Sequence, residues 1–170
     1  MAGIALGVSV YQAATSRHYS NLAVRPHVII TPYTEGPGMR TGLYLDNDGL
    51  GPALLKDIRI TVSGQTFHGF GSSPLADAAK AAGLNPMCFA RSWPKEGAWL
   101  KVDHEVPFLA QTKATDVALL CTKEALRLVT MVDMKIEVDY ADLDGEMHQF
   151  KGDSRTNDAD AFALSHELGN

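Results

Sequence analysis

The chain has 170 residues, of which 45% are hydrophobic and 21% charged, and its formal net charge is −5. That length gives one domain with enough chain for a sizeable core, and the composition is that of an ordinary globular protein. Twenty acids against fifteen Lys and Arg, with no basic stripe, argue against nucleic-acid binding, which rests on neutralising phosphates.

Residues 1–16 contain no Asp, Glu, Lys, Arg or His, and Arg17, His18 and Arg25 follow them. A membrane-crossing helix needs about 20 mostly apolar residues. Residues 1–20 therefore read as the water-side end of a membrane helix, a shortened anchor. Ile4, Leu6, Val8 and Val10 lie all around a helix rather than along one stripe, unlike an amphipathic surface helix. Gly3 and Gly7 have the small-residue spacing of packed membrane helices, and Tyr11 followed by Arg17 has the order of an interfacial aromatic and a charged flank. The alternatives are an apolar N-terminus packed on the domain or on a partner, and a remnant secretory signal, which the lack of a basic n-region disfavours. An anchor with arginines on the domain side places the domain on the cytoplasmic face by the positive-inside rule. A soluble cytoplasmic protein is the alternative address.

Residues 22–34 read as a first strand, which Pro26 and Pro32 demote to an edge or a broken strand because proline cannot donate to a ladder. Glu35-Gly-Pro-Gly38 is a turn, Thr41 to Asp46 a short strand, and Asn47-Asp-Gly49 a strong turn signal. Leu54 to Val62 is the next strand, with clean alternation from Ile58 onward, and Ser63-Gly-Gln65 turns it back into Thr66-Phe-His-Gly69. Ser73 to Gly83 carries the best helix signal: a Ser N-cap, Pro in the first turn, a run of Ala and a terminal Gly.

Pro94-Lys-Glu-Gly97 reads as a loop, Trp99 to Pro107 as another strand, and Thr122 to Met131 as a short helix capped by Thr122. Met134 to Tyr140 alternates strictly, Asp144-Gly145 turns, and Glu146 to Phe150 returns, which is the clearest hairpin of the chain. Residues 152–170 hold four acids and one arginine and read as a flexible tail with one loose helical turn near its end. Short strands with turns every eight to twelve residues, and one or two inserted helices, predict a mainly β fold. The expected form is an immunoglobulin-like antiparallel β-sandwich over residues 21–151, preceded by the N-terminal helix.

No catalytic, cofactor or metal signature emerges. Asp46-Asn-Asp48 and Asp142-Leu-Asp144-Gly-Glu146 lack the full spacing of a calcium loop, and Asx residues in hairpin turns explain both. Gly69-Phe-Gly-Ser-Ser-Pro74 lacks the G-x-S-x-G elbow. Gly36 to Gly42 is glycine-rich but has no G-K-[ST], so it reads as a turn. Cys88 and Cys121 sit in apolar surroundings and read as buried thiols, with a disulfide the alternative for an exported domain. His68, His104 and Cys88 are the only side chains worth weighing for a hydrolase or ligand-binding role, and an apolar flank raises a thiol pKa rather than lowering it. Trp93 and Trp99 flank the Pro94–Gly97 loop and suit core packing or a recognition surface.

Asn21-Leu-Ala-Val-Arg-Pro-His27, Gly42-Leu-Tyr-Leu-Asp-Asn-Asp-Gly-Leu-Gly-Pro-Ala-Leu-Leu-Lys56 and Val138-Asp-Tyr-Ala-Asp-Leu-Asp-Gly-Glu146 together resemble a set of small uncharacterised bacterial proteins. In that set an N-terminal membrane helix runs into an N-x-L-S-V-R-P-H-like segment, and an N-x-G-x-G-P-A turn and a late Y-x-D-x-x-G-E hairpin follow. This chain departs from it at Ala23, where the pattern has Ser, and in an anchor too short to span. The resemblance implies a membrane-tethered β-sandwich and carries over no active site. The function expected is that of a non-enzymatic interaction or sensing module, with another protein and the membrane as partners, and no nucleic acid or small-molecule ligand. The alternative is a small hydrolase or ligand-binding domain using His68, His104 or Cys88.

Overall fold

The structure is a computed structural model and describes residues 10–12, 15–16, 24–35, 39–89, 94–111 and 118–156. Residues 10–12 and 15–16 have helical backbone; the rest of the expected anchor, and the acidic tail from residue 157, lie outside the described residues. Among the described residues, no helix is long and apolar enough to cross a membrane.

Strands β1 (Val28–Thr34), β2 (Thr41–Asn47) and β6 (Val106–Ala110) form a three-stranded antiparallel sheet in the order β1-β2-β6. Strands β4 (Gln65–His68), β3 (Ala53–Val62), β7 (Met134–Ala141) and β8 (Met147–Asp153) form the second sheet in that order. The two-residue β5 (Trp99–Leu100) pairs with the first residues of β3. Helix α1 (Ser72–Ala81) follows β4, a 3₁₀ turn spans Pro86–Cys88, and helix α2 (Ala118–Thr130) precedes β7. One core joins both sheets and both helices: Val28, Leu43 and Leu45 from the first sheet, Ile58, Ile60, Ile136 and Val138 from the second, and Leu75 and Leu128 from the helices.

The period-two pattern sets the faces of the second sheet. Met134, Ile136, Val138 and Tyr140 are all buried, as their alternation predicts, and pair with Val62, Ile60, Ile58 and Leu55 of β3. The opposite face carries charge. Arg59 sits there within 3.1 Å of Asp57, 3.0 Å of Glu137 and 2.8 Å of Asp139. β1 is an edge strand, in keeping with Pro32, and β6 with Pro107 is the other edge of its sheet.

Four expectations are corrected. The strand predicted over Trp99–Pro107 is two strands in different sheets, because Val102–Asp103 turns the chain and the Asp103 N–H donates to the Asn47 carbonyl at 3.0 Å. Helix α1 begins at Ser72, one residue before its expected cap, and its N-cap is Gly71 without a side-chain bond. Its end follows the glycine signal: Gly83 has φ +71°, its N–H donates to the Lys80 carbonyl, and the Leu84 N–H donates to the Ala79 carbonyl. Helix α2 starts at Ala118, so Thr122 is inside it rather than capping it, and the Thr122 hydroxyl donates to Gln111 Oε1 at 2.8 Å. Finally, Cys88 and Cys121 are not buried thiols but a disulfide joining the 3₁₀ turn to α2. Both cysteines face the same core from elements that only the folded chain brings together. Closing a loop of sequence separation 33 restricts the unfolded chain and is worth about 3–4 kcal/mol in the chain-entropy picture.

Ile136→Ala, at a fully buried site, should cost about 2–4 kcal/mol in a denaturant titration, whereas Lys135→Ala on the exposed face should cost less than about 0.5 kcal/mol. Two glycines with positive φ should separate strain from space. Gly145 (φ +83°) has open room for a β-carbon, so Gly145→Ala should cost about 1–2 kcal/mol. Gly42 (φ +120°) lies against the Leu109 carbonyl of β6, so Gly42→Ala should be clearly worse. Equal midpoints for the members of either pair would overturn the face assignment or the close approach.

Candidate functional site

The three side chains weighed for chemistry do not come together. Cys88 is bonded to Cys121 and offers no thiolate. His68 ends β4, exposed, opposite Arg59 on the edge of the five-stranded sheet. His104 is exposed in the turn before β6 and lines a groove of about 400 Å³ on the other sheet, with Tyr33, Asp46, Asp48, Asp103 and Glu105. That groove is acidic, and one of its carboxylates is paired. Arg40 pairs with Glu105 at 2.8 Å and with Glu35 at 2.6 Å, and its guanidinium lies 4.0 Å over the Tyr33 ring. Burial pushes the Asp46 carboxyl above its ordinary value, against a hydrogen bond from Thr31 that lowers it.

A second groove of about 630 Å³ lies where the helices end against the β3–β4 turn. Val62, Ala82, Met131 and Val132 form its apolar part, and Arg127, Asp133 and Lys135 its charged part. The mixed charge selects no ligand chemistry.

The most organised surface is the end of the domain where the chain arrives from its N-terminal segment. Asn47 is buried there, and all its amide positions are used. Its Oδ1 accepts the His27 and Gly49 N–H groups at 3.1 Å each, and its Nδ2 donates to the Gly51 carbonyl at 2.9 Å and the Leu100 carbonyl at 3.1 Å. Gly49 and Gly51 are glycines because a β-carbon at either would meet the backbone of residues 24–27. Beside them is the β7–β8 turn. Asp142 Oδ1 accepts the Asp144 N–H at 3.0 Å and the Glu146 N–H at 2.9 Å, while its Oδ2 lies 3.0 Å from His148 Nε2. Burial would raise the Asp142 pKa, but the bonds from His148 and the two N–H groups outweigh it and hold the carboxyl below its ordinary value. His148 stacks on Tyr140 at 5.5 Å, and Glu146 pairs with Arg25 at 3.1 Å.

Asp142, Glu146 and His148 present ligand atoms within 4.8 Å of one another, the geometry a metal ion needs. Each of the three side chains already has a protein partner, and the Asp142 carboxylate spends one oxygen on the turn's own N–H groups. The cluster works as a staple for the hairpin and for the incoming chain.

Around this stapled end several large apolar side chains are exposed among the charged ones. Val24, Leu50, Trp99, Leu143 and Met147 are exposed, Leu50 at 72%. Trp99 pairs with Leu54, Leu54 with Ala141 and Ala141 with Met147, so the four form one row across the outer face of the sheet. Leu50 and Leu143 project from the β2–β3 and β7–β8 turns at the same end. Leucines in D-G-L-G-P and D-L-D-G turns were the available sequence signal, since turn chemistry asks for neither. Comparison with family models, with curated proteins and with solved structures finds no match to this chain.

Asn47→Ala leaves two N–H groups and two carbonyls short of partners and should cost at least about 1–3 kcal/mol by denaturant titration. An unchanged midpoint would show that the amide is dispensable. The two aspartates have opposite signs of pH dependence. Asp142 is lowered from 3.8, so its stabilisation is present above that pH and is lost as pH falls through the folded value. Asp46 is raised from 3.8, so its ionisation removes stability as pH rises from 3.8 through the folded value. Asp46→Asn should therefore gain on the wild type across that upward window and lose the gain in more acidic solution. A gain independent of pH would contradict the assignment.

Proposed function

We propose that the chain is a membrane-tethered, non-catalytic β-domain whose stapled turn end is an interaction surface. The observation that carries this reading is a division of the molecule. The side chains suited to chemistry are spent or far apart in the fold, as with Cys88 in its disulfide and His68 and His104 on different sheets. Five exposed apolar side chains, by contrast, gather around an end fixed by buried hydrogen bonds, while others, such as Met87, Leu119 and Leu120, lie elsewhere. A hydrolase or ligand site built on His68, His104 or Cys88 lacks the convergence of nucleophile and base that such chemistry requires.

The tether rests on residues 1–16, which carry no charged side chain, and on the exposure of Val10 and Tyr11, 63% and 73%, with no domain surface packed over them. The resemblance to small bacterial proteins with a membrane helix ahead of a β-sandwich points the same way. Strand order supports the immunoglobulin-like form. Lettered in chain order, β1-β2-β6 takes the places of strands A, B and E, and β4-β3-β7-β8 those of C′, C, F and G. The disulfide, between the 3₁₀ turn and α2, does not link strands B and F as in antibody domains.

The disulfide also bears on the address. Stable disulfides belong to oxidising compartments, which favours a domain on the exported side of the membrane over the cytoplasmic face suggested by Arg17 and Arg25. In cells expressing the full chain, the protein should stay in the membrane fraction after an alkaline carbonate wash. Cys88 and Cys121 should resist alkylation until a reductant is added. Release into the wash would overturn the tether, and immediate alkylation of both thiols would return the domain to the cytoplasm.

A further inference from the structure

We propose that the turn end of the domain lies against the bilayer, with Leu50, Leu143, Met147 and Trp99 seated in the lipid interface. This rests on the tether proposed above and names what the surface meets.

Three observations converge. The first is where the chain arrives. Val24 packs at Gly51, and the Arg25 carbonyl accepts the Leu50 and Gly51 N–H groups at 3.0 and 3.3 Å, so the incoming chain is bonded to the turn that carries Leu50. The second is reach. From Ser16, the last residue before the first charge, to Val24 is eight steps, which span at most about 29 Å when fully extended. β3, with ten residues and nine steps, is itself about 30 Å long. A bilayer holding residues 1–16 therefore lies within that reach of the turn end, whereas the opposite end, marked by Met39 and Met131, is about one strand length further along the domain. The third is chemistry. An aromatic with an N–H donor, with Met on the same row of the sheet and Leu at the tips of the adjacent turns, suits the boundary between headgroups and acyl chains.

Two acids of this end are paired. Asp142 is held by the turn and by His148, and Glu146 by Arg25, so they do not point free charge at the lipid. Asp48 and Asp144 are exposed and have no cationic partner among the described residues, which favours a zwitterionic surface over an anionic one. Contact of this kind would hold the domain at one orientation, with the β1–β2 turn and the groove below α2 turned outward.

The test uses the full chain, oxidised so that Cys88 and Cys121 stay paired, and reconstituted into phosphatidylcholine vesicles. A polarity-sensitive dye is attached at Leu143→Cys and, separately, at Met39→Cys. Both sites are exposed, so the fold should tolerate the label, and far-ultraviolet circular dichroism checks it. The proposal expects co-flotation with vesicles, a blue shift and quenching by brominated lipid at position 143, and neither effect at position 39. Adding Leu50→Asp and Met147→Asp should abolish the response at 143 while co-flotation persists. Phosphatidylglycerol in the vesicles should weaken the response rather than strengthen it. If the chain floats but the two labels behave alike, the tether stands and the seated surface is overturned. If the chain does not float, both fall. A response at 143 that pure lipid never gives, and that appears only with protein-containing membrane extract, would assign the surface to a protein partner and overturn the lipid contact.

Discussion

One buried amide organises the end of the domain on which the functional reading depends. Asn47 closes β2, and its four hydrogen bonds reach the incoming chain at His27, the β2–β3 turn at Gly49 and Gly51, and β5 in the other sheet at Leu100. A buried amide with every donor and acceptor matched fixes geometry that apolar contact alone leaves free to slide. Here it fixes where the N-terminal segment meets the domain and where the second sheet begins. The turn of the hairpin β7–β8 is stapled next to it by Asp142, and Tyr140 ties the same region to the first sheet by accepting the Val28 N–H at 3.4 Å. The exposed leucines of the two turns are thus carried on a rigid base.

The rest of the stability comes from more generic sources. Paired apolar rows of β3 and β7 fill the middle of the core, and the disulfide pins the segment between β4 and β5 to α2. The charged face around Arg59 contributes less than its number of ion pairs suggests. Those carboxylates remain partly exposed and are screened by water, so each pair is worth at most about 1 kcal/mol. Its effect is rather to keep that face of the sheet polar and separate from the apolar row at its end.

What could be read from sequence was local. The 134–150 hairpin was legible because alternation and an Asp-Gly turn agree over one short stretch, and α1 because an alanine run ends at a glycine that takes positive φ. Pro32 marked an edge strand by removing a donor. What sequence missed was set at long range. The break after Leu100 is made by a bond from Asp103 to Asn47, and the pairing of Cys88 with Cys121 requires α2 to fold over the 3₁₀ turn. Thr122 had the chemistry of a cap, yet α2 begins four residues earlier and spends that hydroxyl on Gln111. The turn-end surface had a signal in Leu50 and Leu143, but only the folded chain shows that two turns far apart in sequence share one end with Trp99.

Both edges of the three-stranded sheet carry a proline, Pro32 on β1 and Pro107 on β6. A strand that lacks an N–H at its middle is a poor template for a further strand. On a domain tethered as proposed, this would matter more than it would in solution. Confinement brings copies into frequent sideways encounter, and an unguarded sheet edge would turn such encounters into irreversible ribbons. The two imino acids would keep the three-stranded sheet non-sticking, so that copies sharing one surface could collide along that sheet's edges and separate.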